Sequence, residues 1–234
     1  VKMVRLDWVR LPTRWIETGG LREFRWGTSG GAGIAALLTL IVIAQHADQT
    51  TGSAHLTYDR LCLATGLSRP TLAAALTRLR SLDLVEPAPA LGQSGYHLVG
   101  FDPNGGWGKL PARRLYVGDT VPAFAEFKLR NVNELNALKI YLLFVARRDR
   151  ETNFINLSYD GIEAYSGIDR ARIKAALNVL AVLNLVHVDR VRSSTHEAGV
   201  ANAYRIVHIN PYQHMGTLGR TLEGEDFAER ADVF

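Results

Sequence analysis

The stretch LTYDRLCLATGLSRPTLAAALTRLRSLDLV, Leu56–Val85, returns later in the chain as LSYDGIEAYSGIDRARIKAALNVLAVLNLV, Leu157–Val186. The two align without a gap at a constant offset of 101 residues, with 12 of 30 positions identical. Several other pairs exchange like for like, as in Thr57/Ser158, Leu61/Ile162 and Leu72/Ile173. Shorter echoes precede each copy. WVRLPTRW from Trp8 matches WGKLPARRL from Trp107, and Glu23-Phe24-Arg25 matches Glu126-Phe127-Lys128. A period this long exceeds any solenoid unit and fits two domains of ordinary size. The expected organisation is a first domain over 1–103, a second over 104–215 and a tail over 216–234.

Each copy carries its own start and stop signals. In the first, Tyr58–Thr65 is a short helix, and Gly66 is able to take the left-handed conformation that ends it. Ser68 caps the next helix, and Pro70 is tolerated in its first turn. Leu72, Ala75, Leu76, Leu79 and Leu82 then recur at three-and-four spacing, which makes one apolar stripe. In the second copy Gly167 is the stop and Asp169 the cap. Ile173, Ala176, Leu177, Leu180 and Leu183 form the stripe. The apolar run Ile34–His46 is a core helix ahead of the first copy.

Two helices joined by a tight glycine turn make a helix-turn-helix. Strand-like segments around a loop follow each one: Leu84–Glu86 with Tyr96–Val99, then Leu185–Val191 with Tyr204–Ile209. The expected fold class is mainly α with small β-hairpins (α+β), as two winged helix-turn-helix domains related by internal duplication. The run SRPTLAAALTRLRSLDLV resembles the S-R-x-T-x-x-x-A-L-x-x-L-x-x-x-x-L-V pattern of winged-helix bacterial regulators and plasmid replication initiators. That resemblance spans about residues 31–100 and 132–210. It implies binding to double-stranded DNA, initiation at a plasmid or mobile-element origin or autoregulation, and a cytoplasmic protein associated with nucleoid or plasmid. A transcriptional repressor of a mobile element and a winged-helix interaction scaffold are the alternatives.

In such a motif the second helix enters the major groove, with its N-terminal residues nearest the bases. Projection at 100° per residue turns Pro70, Ala73, Ala74, Thr77 and Ser81 outward in the first copy, flanked by Arg69, Thr71, Arg78 and Arg80. In the second copy Ala171, Lys174, Ala175, Asn178 and Val182 face outward, flanked by Arg170 and Arg172. Arg and Lys donate to guanine, and Asn pairs bidentately with adenine. The second face is therefore expected to read bases and the first to hold phosphates. The second wing, 187–203, is longer than the first, 86–95. Its Arg190, Arg192, Ser193, Ser194, Thr195 and His196 suit phosphate or minor-groove contact.

Charge and composition agree with this reading without deciding it. The net charge is +4, divided as +2, +5 and −3 over the three segments. Hydrophobic residues make 47% and charged residues 21% of the chain, a globular mixture. The single Cys62 leaves neither a disulfide framework nor a four-cysteine metal site. Seven histidines show no HxxxH pair, and no GxxxxGK[ST] loop is present. The expectation is a non-enzyme with no cofactor and no metal. The run Ile34–Ala44 is shorter than a bilayer span and no secretory leader is expected, so no membrane partner is expected either. A homodimer is left open. GTSGGAG at Gly27–Gly33 is expected to be a flexible linker. The basic Leu-Pro arms around Arg10 and Lys109 are expected to pack on their own domains. The acidic tail is expected to be disordered or a loosely docked helix.

Overall fold

The computed structural model describes residues 6–192 and 200–209. The tip of the second wing and the acidic tail lie outside them. The chain opens with β1 (Trp8–Pro12), the short α1 (Arg14–Glu17) and a 3-10 turn at Gly20–Glu23. Then come α2 (Trp26–His46), β2 (Ser53–His55), α3 (Tyr58–Thr65), α4 (Arg69–Ser81), β3 (Val85–Pro87) and β4 (Gly95–Leu98). A second series follows: β5 (Trp107–Pro111), α5 (Pro122–Ala125), α6 (Val132–Arg147), β6 (Phe154–Ile155), α7 (Tyr159–Ser166), α8 (Arg170–Val182), β7 (Val186–Arg192) and β8 (Val200–Ile206). The fold is α+β, with three-stranded antiparallel sheets in the orders β2-β4-β3 and β6-β8-β7. Each sheet closes one three-helix unit, which is the winged arrangement.

The local signals act where the sequence places them. Thr57 and Ser158 cap α3 and α7 by accepting from the amides of Arg60 and Gly161. Gly66 (φ 74°) and Gly167 (φ 66°) end those helices in the left-handed region, where a Cβ would be strained. Ser68 and Asp169 then cap α4 and α8 through the amides of Thr71 and Ala171. After each of these helices the chain turns back at Asp83 (φ 52°) and Asn184 (φ 53°). Both are residue types that enter the left-handed region more readily than most. The stripes are buried as expected from Leu72 to Leu79 and from Ile173 to Leu180, and their last members, Leu82 and Leu183, are half-buried.

The long helices lie at the centre. α2 packs on α4, α6 packs on α8, and α2 and α6 pack on each other. One continuous apolar core therefore runs through both halves. By length and composition α2 is able to cross a bilayer, but Gly33–Gln45 is buried inside the protein.

Two expectations are corrected. The Gly27–Gly33 segment is not a linker: α2 begins at Trp26, with one non-helical residue at Gly30 (φ 44°, ψ −129°). Past this kink the chain crosses the helix closely at Gly31. A Cβ on Gly31 would stand 2.4 Å from the Leu129 carbonyl oxygen. The Leu-Pro arms do pack on their own halves, β1 on α2 and β5 on α6, but not on those alone. They pair with one another as an antiparallel ribbon, β1 with β5. Alternation explains this. Val9, Leu11 and Leu110 turn inward and are buried, while Trp8 and Trp107 stack on the other face at 5.9 Å between ring centroids. Gly108 lets the ribbon approach α6, since a Cβ there would meet the Val145 carbonyl oxygen.

One buried charge sits between the halves. Lys139 of α6 is 3% exposed and donates from Nζ to the Phe24 carbonyl at 3.0 Å. Burial, with the Arg25 charge nearby, lowers its pKa from 10.5 to about 8. Below pH 8 the lysine is protonated in both folded and unfolded chains, and the buried charge costs stability. Between about pH 8 and 10.5 the unfolded chain binds the extra proton, so stability rises with pH. Lys139→Met is therefore expected to raise unfolding free energy at pH 7 by about 1–3 kcal/mol, a gain that shrinks toward pH 10.5. Urea titrations across that pH range measure it; a loss of stability at pH 7 would contradict the account.

Candidate nucleic-acid interface

The outward faces of α4 and α8 are open to solvent. On α4, Arg69, Pro70, Ala73, Ala74, Thr77, Arg80 and Ser81 are exposed. On α8, Ala171, Arg172, Lys174 and Asn178 are exposed, and Val182 is 84% exposed. The faces differ as their chemistry suggests. The side chains of Arg172, Lys174 and Asn178 make no hydrogen bond or ion pair with other described residues. They offer cationic and amide donors from the first three turns of the helix.

Several other expected contacts have work inside the protein. Arg69 pairs with Asp59 at 2.5 Å, and Arg170 pairs with Asp160 and lies over the Tyr159 ring. The same ion pair thus stands at the start of both second helices. All four side chains are well exposed, so each pair is weak, and its arginine is released at small cost to meet a phosphate. The Thr71 hydroxyl bonds to the Ser68 hydroxyl at 2.8 Å, and the Thr77 hydroxyl donates to the Ala73 carbonyl. Arg80 remains on the surface. Arg78 is half-buried, with its guanidinium donating to the Glu23 carbonyl at 2.9 Å. The structure thus places Arg78 against the segment before α2, as a tie within the first half. Helical projection could not detect this, because the acceptor lies 55 residues away.

Arg190 and Arg192 lie on β7, opposite Asn202 and Val200 of β8. Their side chains, and Ser193, Ser194, Thr195 and His196, lie outside the described set. The first wing contains a 3-10 turn at Pro89–Ser94 with no cationic residue.

The sequence reading missed a basic and aromatic cluster on the ribbon, in which Lys109 is buried, Arg10 half-buried and Arg150 exposed. The Arg10 guanidinium lies 4.9 Å from the Trp107 ring centroid, Arg150 lies 5.4 Å from it, and Lys109 lies 4.5 Å from that of Trp8. The repeated W-x-x-L-P was the available signal. Its pairing across the chain was not legible from spacing.

Among the described residues no group of three His, Cys, Asp or Glu could hold a metal ion. Burial pushes the Cys62 thiol up, away from an activated thiolate.

Taken together, the glycine turn, the buried stripe and the three-stranded sheet define a winged helix-turn-helix protein. Residues 35–85 match the family model of a helix-turn-helix domain. This supports a DNA-binding type of domain and DNA as partner. No curated protein matches the chain.

Proposed function

We propose that the chain is a sequence-specific double-stranded DNA-binding protein that acts as a replication initiator or autoregulator of a plasmid or mobile element. The observation that carries the DNA reading is the unpartnered Arg172, Lys174 and Asn178 on the open face of α8. The helix-turn-helix match over residues 35–85 supports it in the first half. The initiator reading rests on the resemblance of the SRPTLAAALTRLRSLDLV run and on the similar sequence carried by the second unit. On this reading the protein is a binding protein and not an enzyme, takes no cofactor, and works in the cytoplasm on plasmid or nucleoid DNA.

A shift assay with random duplex tests the DNA reading. Phosphate neutralisation releases counterions, so affinity is expected to fall about 10³-fold between 50 and 200 mM salt if some six phosphates are held. Indifference to heparin and to duplex at 100 mM salt would instead favour an interaction scaffold. The exposed Val182 at the end of α8 is the observation on that side. Footprinting on the upstream region and on candidate origins separates the finer readings. A series of protected units marks an initiator, and a single promoter unit marks a repressor.

A further inference from the structure

Three of the contacts that join the two helix-turn-helix units map onto themselves when the units exchange places. The ribbon is the clearest case. In the paired segments Trp8 corresponds to Trp107, Arg10 to Lys109 and Pro12 to Pro111. The register sets Trp8 opposite Pro111, Pro12 opposite Trp107, and Arg10 opposite Lys109 at the centre. Exchange of the strands returns the same pairs. This self-complementary pattern is the one a two-fold axis requires.

A second contact obeys the same rule. Gly66 and Gly167 are the corresponding turn glycines. A Cβ on Gly66 would lie 3.5 Å from Cα of Ala125, and one on Gly167 would lie 3.2 Å from Cγ of Arg22. Arg22 immediately precedes Glu23-Phe24-Arg25, and Ala125 immediately precedes Glu126-Phe127-Lys128. The segment ahead of each unit therefore crosses the turn of the other. Hydrogen bonds cross in both directions: the Arg22 guanidinium donates to the Ala164 carbonyl, and the Val121 amide donates to the Ala64 carbonyl. The corresponding first helices, α2 and α6, supply the third contact by packing together.

We infer that a local two-fold axis, passing by the Arg10–Lys109 pair and between α2 and α6, relates the two units, and that one chain occupies one imperfect inverted repeat as an intramolecular dimer. The inference rests on the DNA-binding reading above. Points related by a two-fold axis lie at equal height along it, and the components of their elements' directions across it are reversed. B-form DNA has dyads of its own, so α4 and α8 meet equivalent base edges only in half-sites of opposite orientation. A direct repeat would need readers related by translation along the duplex. The repeat is imperfect because the faces differ: Ala73 and Ala74 stand on α4, whereas Arg172, Lys174 and Asn178 stand on α8. Sequence constraint is concentrated in the half-site under α8.

The experiment is selection from a randomised duplex library with the full chain, followed by native mass measurement of the complex on the selected duplex. The expected result is two half-sites in inverted orientation, with centres about one helical turn, ~10 bp, apart, and one chain bound. Turning one half-site into direct orientation should weaken binding about 100-fold. Lys174→Ala with Asn178→Ala should relax selection in one half-site alone. A selected direct repeat, a single half-site, or two chains on one inverted repeat would overturn the inference while leaving DNA binding intact. Failure to retain any duplex would overturn the DNA-binding reading itself.

Discussion

Lys174→Ala combined with Asn178→Ala is expected to weaken binding to the selected DNA site by about 10²–10⁴-fold, with less than a tenfold change on random duplex. Each well-placed base contact discriminates by about 1–3 kcal/mol, and the two side chains stand one helical turn apart on the open face of α8. Neither touches the core, so the thermal midpoint should not move. Competition binding with the selected site and with random duplex gives the ratio. If both affinities fell equally, the two residues would be phosphate holders and base readout would lie elsewhere. Unchanged affinity on both would remove α8 from the interface.

The largest expected change in stability is at Phe144. Phe144→Ala should cost about 3–5 kcal/mol of unfolding free energy, the range for truncating a fully buried aromatic ring. Phe144 is 0% exposed on α6 and stacks on Tyr204 at 4.6 Å between centroids. Tyr204 lies on β8, the middle strand of the second sheet, opposite Ile155 and Val188. The ring therefore ties the sheet of the second unit to its first helix, and its loss leaves a cavity that neither rigid element readily fills. Urea unfolding measures the loss; a change below 1 kcal/mol would mean that this stack does not hold the second unit together.

The two predictions bear on features that differ in how far the sequence reveals them. The outward position of Lys174 and Asn178 follows from the leucine stripe, since burying Ile173, Ala176, Leu177 and Leu180 turns them outward. The caps at Ser68 and Asp169 and the stops at Gly66 and Gly167 are equally local, each settled within four residues. Arg78 shows the limit of that reasoning. It shares its periodicity with a solvated residue, yet its guanidinium reaches a carbonyl in the segment before α2. Gly27–Gly33 shows it again. Its composition suits a loop, but close passage of the Leu129 backbone makes glycine the residue that fits in a helix there.

The amino-acid sequence by itself determined the helix-turn-helix motifs, the caps and stops of their helices and the chemistry of their outer faces. Those depend on periodicity and on capping between near neighbours. Only the tertiary structure decided that β1 pairs with β5, that each leading segment crosses the other unit's turn, and that Arg78 is held inside. These contacts join residues from 55 to more than 140 positions apart, and they form because surfaces left apolar or unpaired by each unit are buried together. No local pattern encodes which distant surface will cover which.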